Sequence, residues 1–239
     1  MSSQGLSGRL ICQLLLVLGL VAPVPASAQI TPLSVPDLPA VIPLFPLPNV
    51  AVLPYLQLPL HIFEPRYKEM LADALAGNRV IGIVQIQPGF EADYQGRPPI
   101  FGIGCAAIVV ANDRQPDGEF DIVVRGFVKF RIMSESGDKA YRVARVEPIP
   151  ELLDEPARTA LHEQRPALEQ ALTMFLGAAP NSLRLPVMTD EDLVNTLVMS
   201  LEFDTVDRQL LIEQPGVLAR ANKLAEMLGR TPGEPVVPR

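Results

Sequence analysis

Residues 120–132 read FDIVVRGFVKFRI, the clearest two-residue alternation in the chain. Phe120, Ile122, Val124, Gly126, Val128, Phe130 and Ile132 fall on one face; Asp121, Val123, Arg125, Phe127, Lys129 and Arg131 fall on the other. This is the period of a β-strand, whose successive side chains point to opposite faces of a sheet. Just upstream, Gln115-Pro116-Asp117-Gly118 is a turn signal. Before that turn, Phe101–Val110 alternates loosely, with Gly102 and Gly104 suiting a bend or a close backbone approach. Earlier still, a polar loop over 87–99 follows Val80–Ile86 (VIGIVQI), a β-rich run that predicts a buried strand. Downstream, Ser134–Lys139 predicts a turn and Tyr141–Val146 a returning strand.

Further out, Glu64-Pro65 opens a helix, with proline in the first turn where its missing N–H costs little. Tyr67, Met70, Leu71, Ala74 and Leu75 share one helical face, and Gly77 is the stop signal. From Val41 to Ile62 short apolar runs are cut by prolines, which predicts short strands with bends. Residues 41–150 therefore read as a mainly antiparallel β unit with one inserted helix. The composition shifts at Pro148–Pro156, and over 151–230 the period becomes helical. Leu161, Leu168, Leu172, Phe175 and Leu176 fit one stripe, which Pro166 should kink or divide. Thr189 and Asp204 read as N-caps, and Leu218, Ala221, Leu224, Ala225 and Leu228 form a last stripe. The class is α+β.

The chain ends carry other information. Arg9 is the only charge in residues 1–28; an apolar run, Leu10–Val21, follows it and leads to Ala26-Ser27-Ala28. This is the pattern of a secretory signal peptide cut before Gln29. Residues 29–40 (QITPLSVPDLPA) form a Pro-spaced linker, and 231–239 a flexible tail. Cleavage would remove Arg9 and Cys12, leaving Cys105 as the only thiol and excluding an intramolecular disulfide or a thiolate zinc cluster. Export to the periplasm or beyond is the expected location if the leader is genuine, and the cytoplasm otherwise. No later stretch reaches about 18 consecutive apolar residues, so no membrane span is expected after cleavage.

Composition narrows the function. The 239 residues are 48% hydrophobic with a net charge of −7, enough for a sizeable core and opposite in sign to a phosphate-binding surface. With no Trp and 5% aromatics, base-stacking platforms would be sparse, so no nucleic-acid partner is expected. No GxxxxGK[ST] or GxGxxG turn is present, and no GxSxG elbow. His61 and His162 lie far apart and outside zinc spacings. Lys68, Lys129, Lys139 and Lys223 show no Ser–Lys pairing. Asp190, Glu191 and Asp192 are acids suited to a helix start. Neither a catalytic constellation, nor a metal site, nor a cofactor is expected.

Three ordered stretches carry a family likeness. IPLFPLPNVAVLPYLQLPLHIFEPRYKEMLADAL (42–75), PDGEFDIVVRGFVKFRI (116–132) with YRVARVEPIPE (141–151), and DRQLLIEQPGVLARANKLAEML (207–228) resemble the Lon protease N-terminal, substrate-binding domain in its stand-alone form. The resemblance covers about 42–228 and lacks the ATPase and protease domains. It implies a PUA-like β pseudobarrel followed by a helical subdomain, and a non-catalytic role in contacting unfolded or extended polypeptide. A protease or chaperone is the further partner class it suggests; a peptidase label would name the family and not an activity. A leader sits oddly with a partner of cytosolic Lon, from which export would separate this protein.

His61, Phe63, Glu64, Arg66 and Tyr67 within HIFEPRY, with Arg125 on the long strand, are the candidate polypeptide-binding residues. The plainer reading makes His61, Glu64, Arg66 and Tyr67 a structural cluster joining barrel to helix, with Glu64 accepting from the first helical turn. Arg125, Lys129 and Arg131 are in the same way a solvated sheet face or a basic strip for acidic peptide. An assembly protein acting through its helices is the alternative function, and a hydrolase with an unrecognised site a more remote one; the oligomeric state is open. The leader reading is checked by intact-mass measurement of exported protein, which should begin at Gln29; retention of residues 1–28 would overturn it.

Overall fold

The computed structural model describes residues 37–177 and 185–229, so the leader, most of the linker and the tail lie outside the described residues. The described residues form six strands: β1 (Val41–Leu47), β2 (Gln57–Ile62), β3 (Val80–Gln85), β4 (Ile103–Arg114), β5 (Phe120–Ser136) and β6 (Arg142–Ile149). Helix α1 (Pro65–Ala76) lies between β2 and β3. After the strands come α2 (Glu155–Phe175), α3 (Asp190–Ser200), α4 (Thr205–Ile212) and α5 (Val217–Leu228).

The strands run in the order β2-β5-β4-β3-β1-β6, and β6 pairs back onto β5. Five strands therefore close a ring, while β2 hangs on the first half of β5 as an edge strand. β5 can serve both partners because it is 17 residues long: Phe120–Arg125 faces β2 and Lys129–Ser136 faces β6. β1 and β3 pair in parallel, and the β2–α1 segment supplies the crossover such a pair requires. The other pairs are antiparallel. Pro59 stands in β2, a position that suits an edge strand. β3 is buried throughout, as its composition predicts.

Bulges reshape the expected alternation. In the β4–β5 ladder Ala106 faces Val128 and Ala107 faces Gly126, which leaves Phe127 as an extra residue. Such a residue reverses the side-chain parity of the strand beyond it. Ile122 and Val124 join the core beneath α1, whereas Phe130 joins the core formed by Ile42, Leu44 and Val84. Arg125 and Lys129, expected on one face, are thus turned to opposite sides. The basic strip does not exist, and Lys129 is 1% exposed. A further bulge at Met133 lets β5 continue to Ser136, where the sequence predicts a turn. Two glycines allow close contacts. A Cβ on Gly126 would stand 2.4 Å from the Leu53 carbonyl oxygen, and one on Gly104 the same distance from that of Ile83.

Helices α3 and α4 begin where the sequence places their caps, and α2 has a cap, Asp154, that the sequence reading did not name. The side chains of Asp154, Thr189 and Asp204 accept from the N–H groups of Ala157, Asp192 and Asp207. Pro166 does not divide α2, which runs unbroken from Glu155 to Phe175. Leu161, Leu168 and Leu172 are buried from α2, while Leu176 is exposed. The acids at the start of α3 reach across to α2: Glu191 pairs with Arg158, and Asp190 with Arg165 and His162. Among the described residues no helix is long and apolar enough to cross a membrane.

A buried ionic knot joins the strands to the helices. The Lys129 ammonium lies 2.7 Å from a Glu151 carboxylate oxygen and donates to the carbonyls of Ile212 and Gln214 at the end of α4. Arg220, fully buried on α5, donates to the same Glu151, to Asn195 and to the Leu211 carbonyl. Burial lowers the pKa of Lys129, and Glu151 opposes that shift. Glu151→Ala would leave two buried cations without their carboxylate, which is expected to cost about 3–5 kcal/mol of stability. Urea denaturation of the variant checks this; an unchanged midpoint would remove the knot from the account.

Candidate functional site

The stretch HIFEPRY turns from strand to helix in three residues. β2 ends at Ile62 and α1 starts at Pro65, with Glu64 extended at the cap position. The Glu64 carbonyl accepts from the N–H groups of Tyr67 and Lys68, but its side chain makes no capping bond. The carboxylate turns instead to Arg66, whose Nε donates to Oε2 at 3.0 Å. Glu64 is 6% exposed, and its Oε1 is buried without a hydrogen-bond partner among the described residues. The expected capping role therefore falls to the backbone alone, and the carboxylate has another task.

Arg66 is the hub of this corner. Its guanidinium donates to the carbonyls of Tyr94, Gln95 and Gly96, which fastens the loop after β3 to the start of α1. It also lies over the rings of Tyr67 and Tyr94, at 4.6 and 5.3 Å. The Tyr67 ring is buried 4.4 Å from that of Phe45 on β1. Burial, and then the neighbouring Tyr67 and Glu64, push the Tyr94 hydroxyl far above its ordinary pKa. Burial also raises the pKa of Tyr67.

A groove of about 90 Å³ opens beside this cluster, between β1 and β2, which do not pair. Phe45 and Leu47 form one wall and Leu60 and Phe63 the other, with Tyr67 and Tyr94 beneath. Phe63 is half-exposed, and its ring stacks on His61 at 6.1 Å. His61 is held by two carboxylates, one from β5 and one from the residue just before it: Nδ1 lies 2.8 Å from Asp121 and Nε2 2.6 Å from Glu119. The sequence-predicted residues His61, Phe63, Glu64, Arg66 and Tyr67 thus share one corner. Arg125 does not join them. It faces Gln57, while His61 faces Asp121, four residues further along the ladder and on the order of 13 Å away.

Sequence reasoning missed Tyr94, Phe45, Glu119 and Asp121. Tyr94 carried one readable signal, being one of only two large aromatics, with Phe90, in an otherwise polar loop. A larger apolar cavity, about 170 Å³, lies between α2, α3 and α5. Its charged pair, Arg165 and Asp190, is already matched. Cys105 is buried, and burial pushes its thiol up to about 12, which fits an inert structural thiol.

A family model described as the ATP-dependent protease La (LON) substrate-binding domain matches residues 41–230. The Lon protease of Anaeromyxobacter dehalogenans (strain 2CP-C) is 25% identical over 217 residues, covering 86% of this chain and 26% of its own length. Lon protease 2 of Sorangium cellulosum (strain So ce56) is 28% identical over 199 residues, covering 79% of this chain and 24% of its own length. The chain spans about a quarter of the length of these curated relatives. Two solved structures share the fold. The Lon N-terminal domain protein from Xanthomonas campestris has 21% identity and a TM-score of 0.55, covering 78% of this chain and 97% of its own. The N-terminal domain of the Mycobacterium avium complex Lon protease has 20% identity and a TM-score of 0.57, covering 79% and 97%.

Asp121 first, then Glu119, raise the His61 pKa above the ordinary histidine value of about 6.5. The pairing therefore stabilises the fold fully below about 6.5 and is lost as pH rises through the raised value. NMR titration should place His61 above the ordinary value of about 6.5, and Asp121→Asn should bring it down. A His61 curve unmoved by that substitution would overturn the assignment.

Proposed function

The chain belongs to the substrate-binding domain family of the ATP-dependent protease La (Lon), and we propose that it is a non-catalytic module that holds unfolded or extended polypeptide. The observation that carries this reading is the open edge of β2 beside the groove. β2 pairs with β5 on one side and, among the described residues, with no strand on the other. An extended client segment added there would bond through its backbone, so many sequences would be accepted. Alternate side chains of that segment would face the groove, where Leu60, Phe63 and Phe45 offer apolar contact.

The absence of nucleophile–base and phosphate-loop motifs in the sequence supports a holding role over turnover. So does the extent of the match, which covers the substrate-binding region alone. Any enzymatic step would then belong to a protease or chaperone partner. On the leader reading, the client is met outside the cytoplasm, away from a cytosolic Lon enzyme.

The test is fluorescence anisotropy of the purified protein with a labelled unfolded polypeptide, its folded form serving as control. Saturable binding of the unfolded form alone is expected, with new hydrogen-exchange protection over Gln57–Ile62. Equal behaviour of the two forms, or no binding, would refute the reading.

A further inference from the structure

We infer that the groove between β1 and β2 selects extended segments carrying an aliphatic side chain next to a basic residue. This rests on the client-binding reading above and adds the chemical class of the client. Size sets the first half of the preference. A dry apolar cavity of about 150 Å³ is room for a benzene ring. The groove, at about 90 Å³, takes a group of leucine or valine size and is too small for an indole. Its walls are apolar, so the occupant gains by leaving water.

Charge sets the second half. His61 lies at the groove mouth and brings two carboxylates there, Glu119 and Asp121, against one imidazole. Asp113 stands opposite Asp121 in the β4–β5 ladder and adds a third acid. Arg66 and Glu64 neutralise one another, so neither adds to this field. Against Asp113, Glu119 and Asp121 stand His61 and Arg114, which keeps its charge over the Phe120 ring, and the acids remain in excess. A lysine or arginine beside the seated aliphatic group meets the acids at the mouth; a glutamate there meets like charge. The chain's net charge of −7 acts in the same direction at longer range.

The test uses the purified protein and labelled Gly/Ser peptides that share one central leucine flanked by Lys, Gln or Glu. At about 50 mM salt the Lys peptide should bind roughly fivefold tighter than the Gln peptide, the size of a couple of exposed ion pairs, and the Glu peptide weakest. At about 0.5 M salt the three should converge. Replacing leucine by tryptophan in the Lys peptide should weaken it. The double variant Glu119→Gln/Asp121→Asn, isosteric and at solvent-accessible positions, should lower the Lys-to-Gln ratio to below about twofold. Equal binding of the three peptides, a Trp peptide that binds better, or a preference undiminished in the double variant would overturn the inference while leaving client binding intact. No binding by any peptide would instead bring down the client-binding reading itself.

Discussion

Glu151 accepts from both Lys129 and Arg220, and through that one carboxylate the long strand, the exit of the barrel and the last helix are tied together. Lys129 comes from the far side of the Phe127 bulge, Glu151 from the segment that leaves β6, and Arg220 from the middle of α5. The two cations also cover the carbonyls of Leu211, Ile212 and Gln214, where a short helix ends with unsatisfied acceptors. Each charge would be costly alone in such surroundings. Together they satisfy one another and a helix terminus. The arrangement also fixes an angle: the long strand, the exit of the barrel and the last helix must keep their places for all the bonds to form.

The same economy of charge governs the corner at HIFEPRY. Arg66 is one residue from the helix start, near enough to gather carbonyls from a loop about thirty positions away. In doing so it holds Tyr94 over Tyr67 and gives the groove its floor. The plainer sequence reading, a polar cluster joining barrel to helix, describes Glu64, Arg66 and Tyr67 well. His61 and Phe63 differ, because their side chains stand at the mouth and remain accessible. On the proposed reading, structure and recognition are divided among neighbours in one heptapeptide.

Local patterns were legible in the sequence and distant closures were not. The caps at Thr189 and Asp204 need only a side chain and the N–H three residues on, so the sequence displays them whole. The strand period over 120–126 was equally plain, until Phe127 broke it. A bulge is decided by what β4 offers opposite, which no single strand records. The burial of Lys129 escaped for the same reason: the carbonyls it meets lie 83 and 85 positions away. At the groove, HIFEPRY is contiguous and could be found, whereas the acids that flank His61 come from 58 and 60 positions further on.

The tyrosines of the corner have one more consequence. The chain has no tryptophan and four tyrosines, so its ultraviolet emission is tyrosine emission alone. Tyr67 and Tyr94 lie beneath the groove, and Tyr141 lies with them around the adjoining hollow, its hydroxyl donating to Asp73. Only Tyr55 is exposed and remote from that lining. The protein therefore carries a built-in optical probe concentrated at one place. Whatever enters the groove or loosens the Arg66 clasp alters the surroundings of the very rings that emit, and does so without any label.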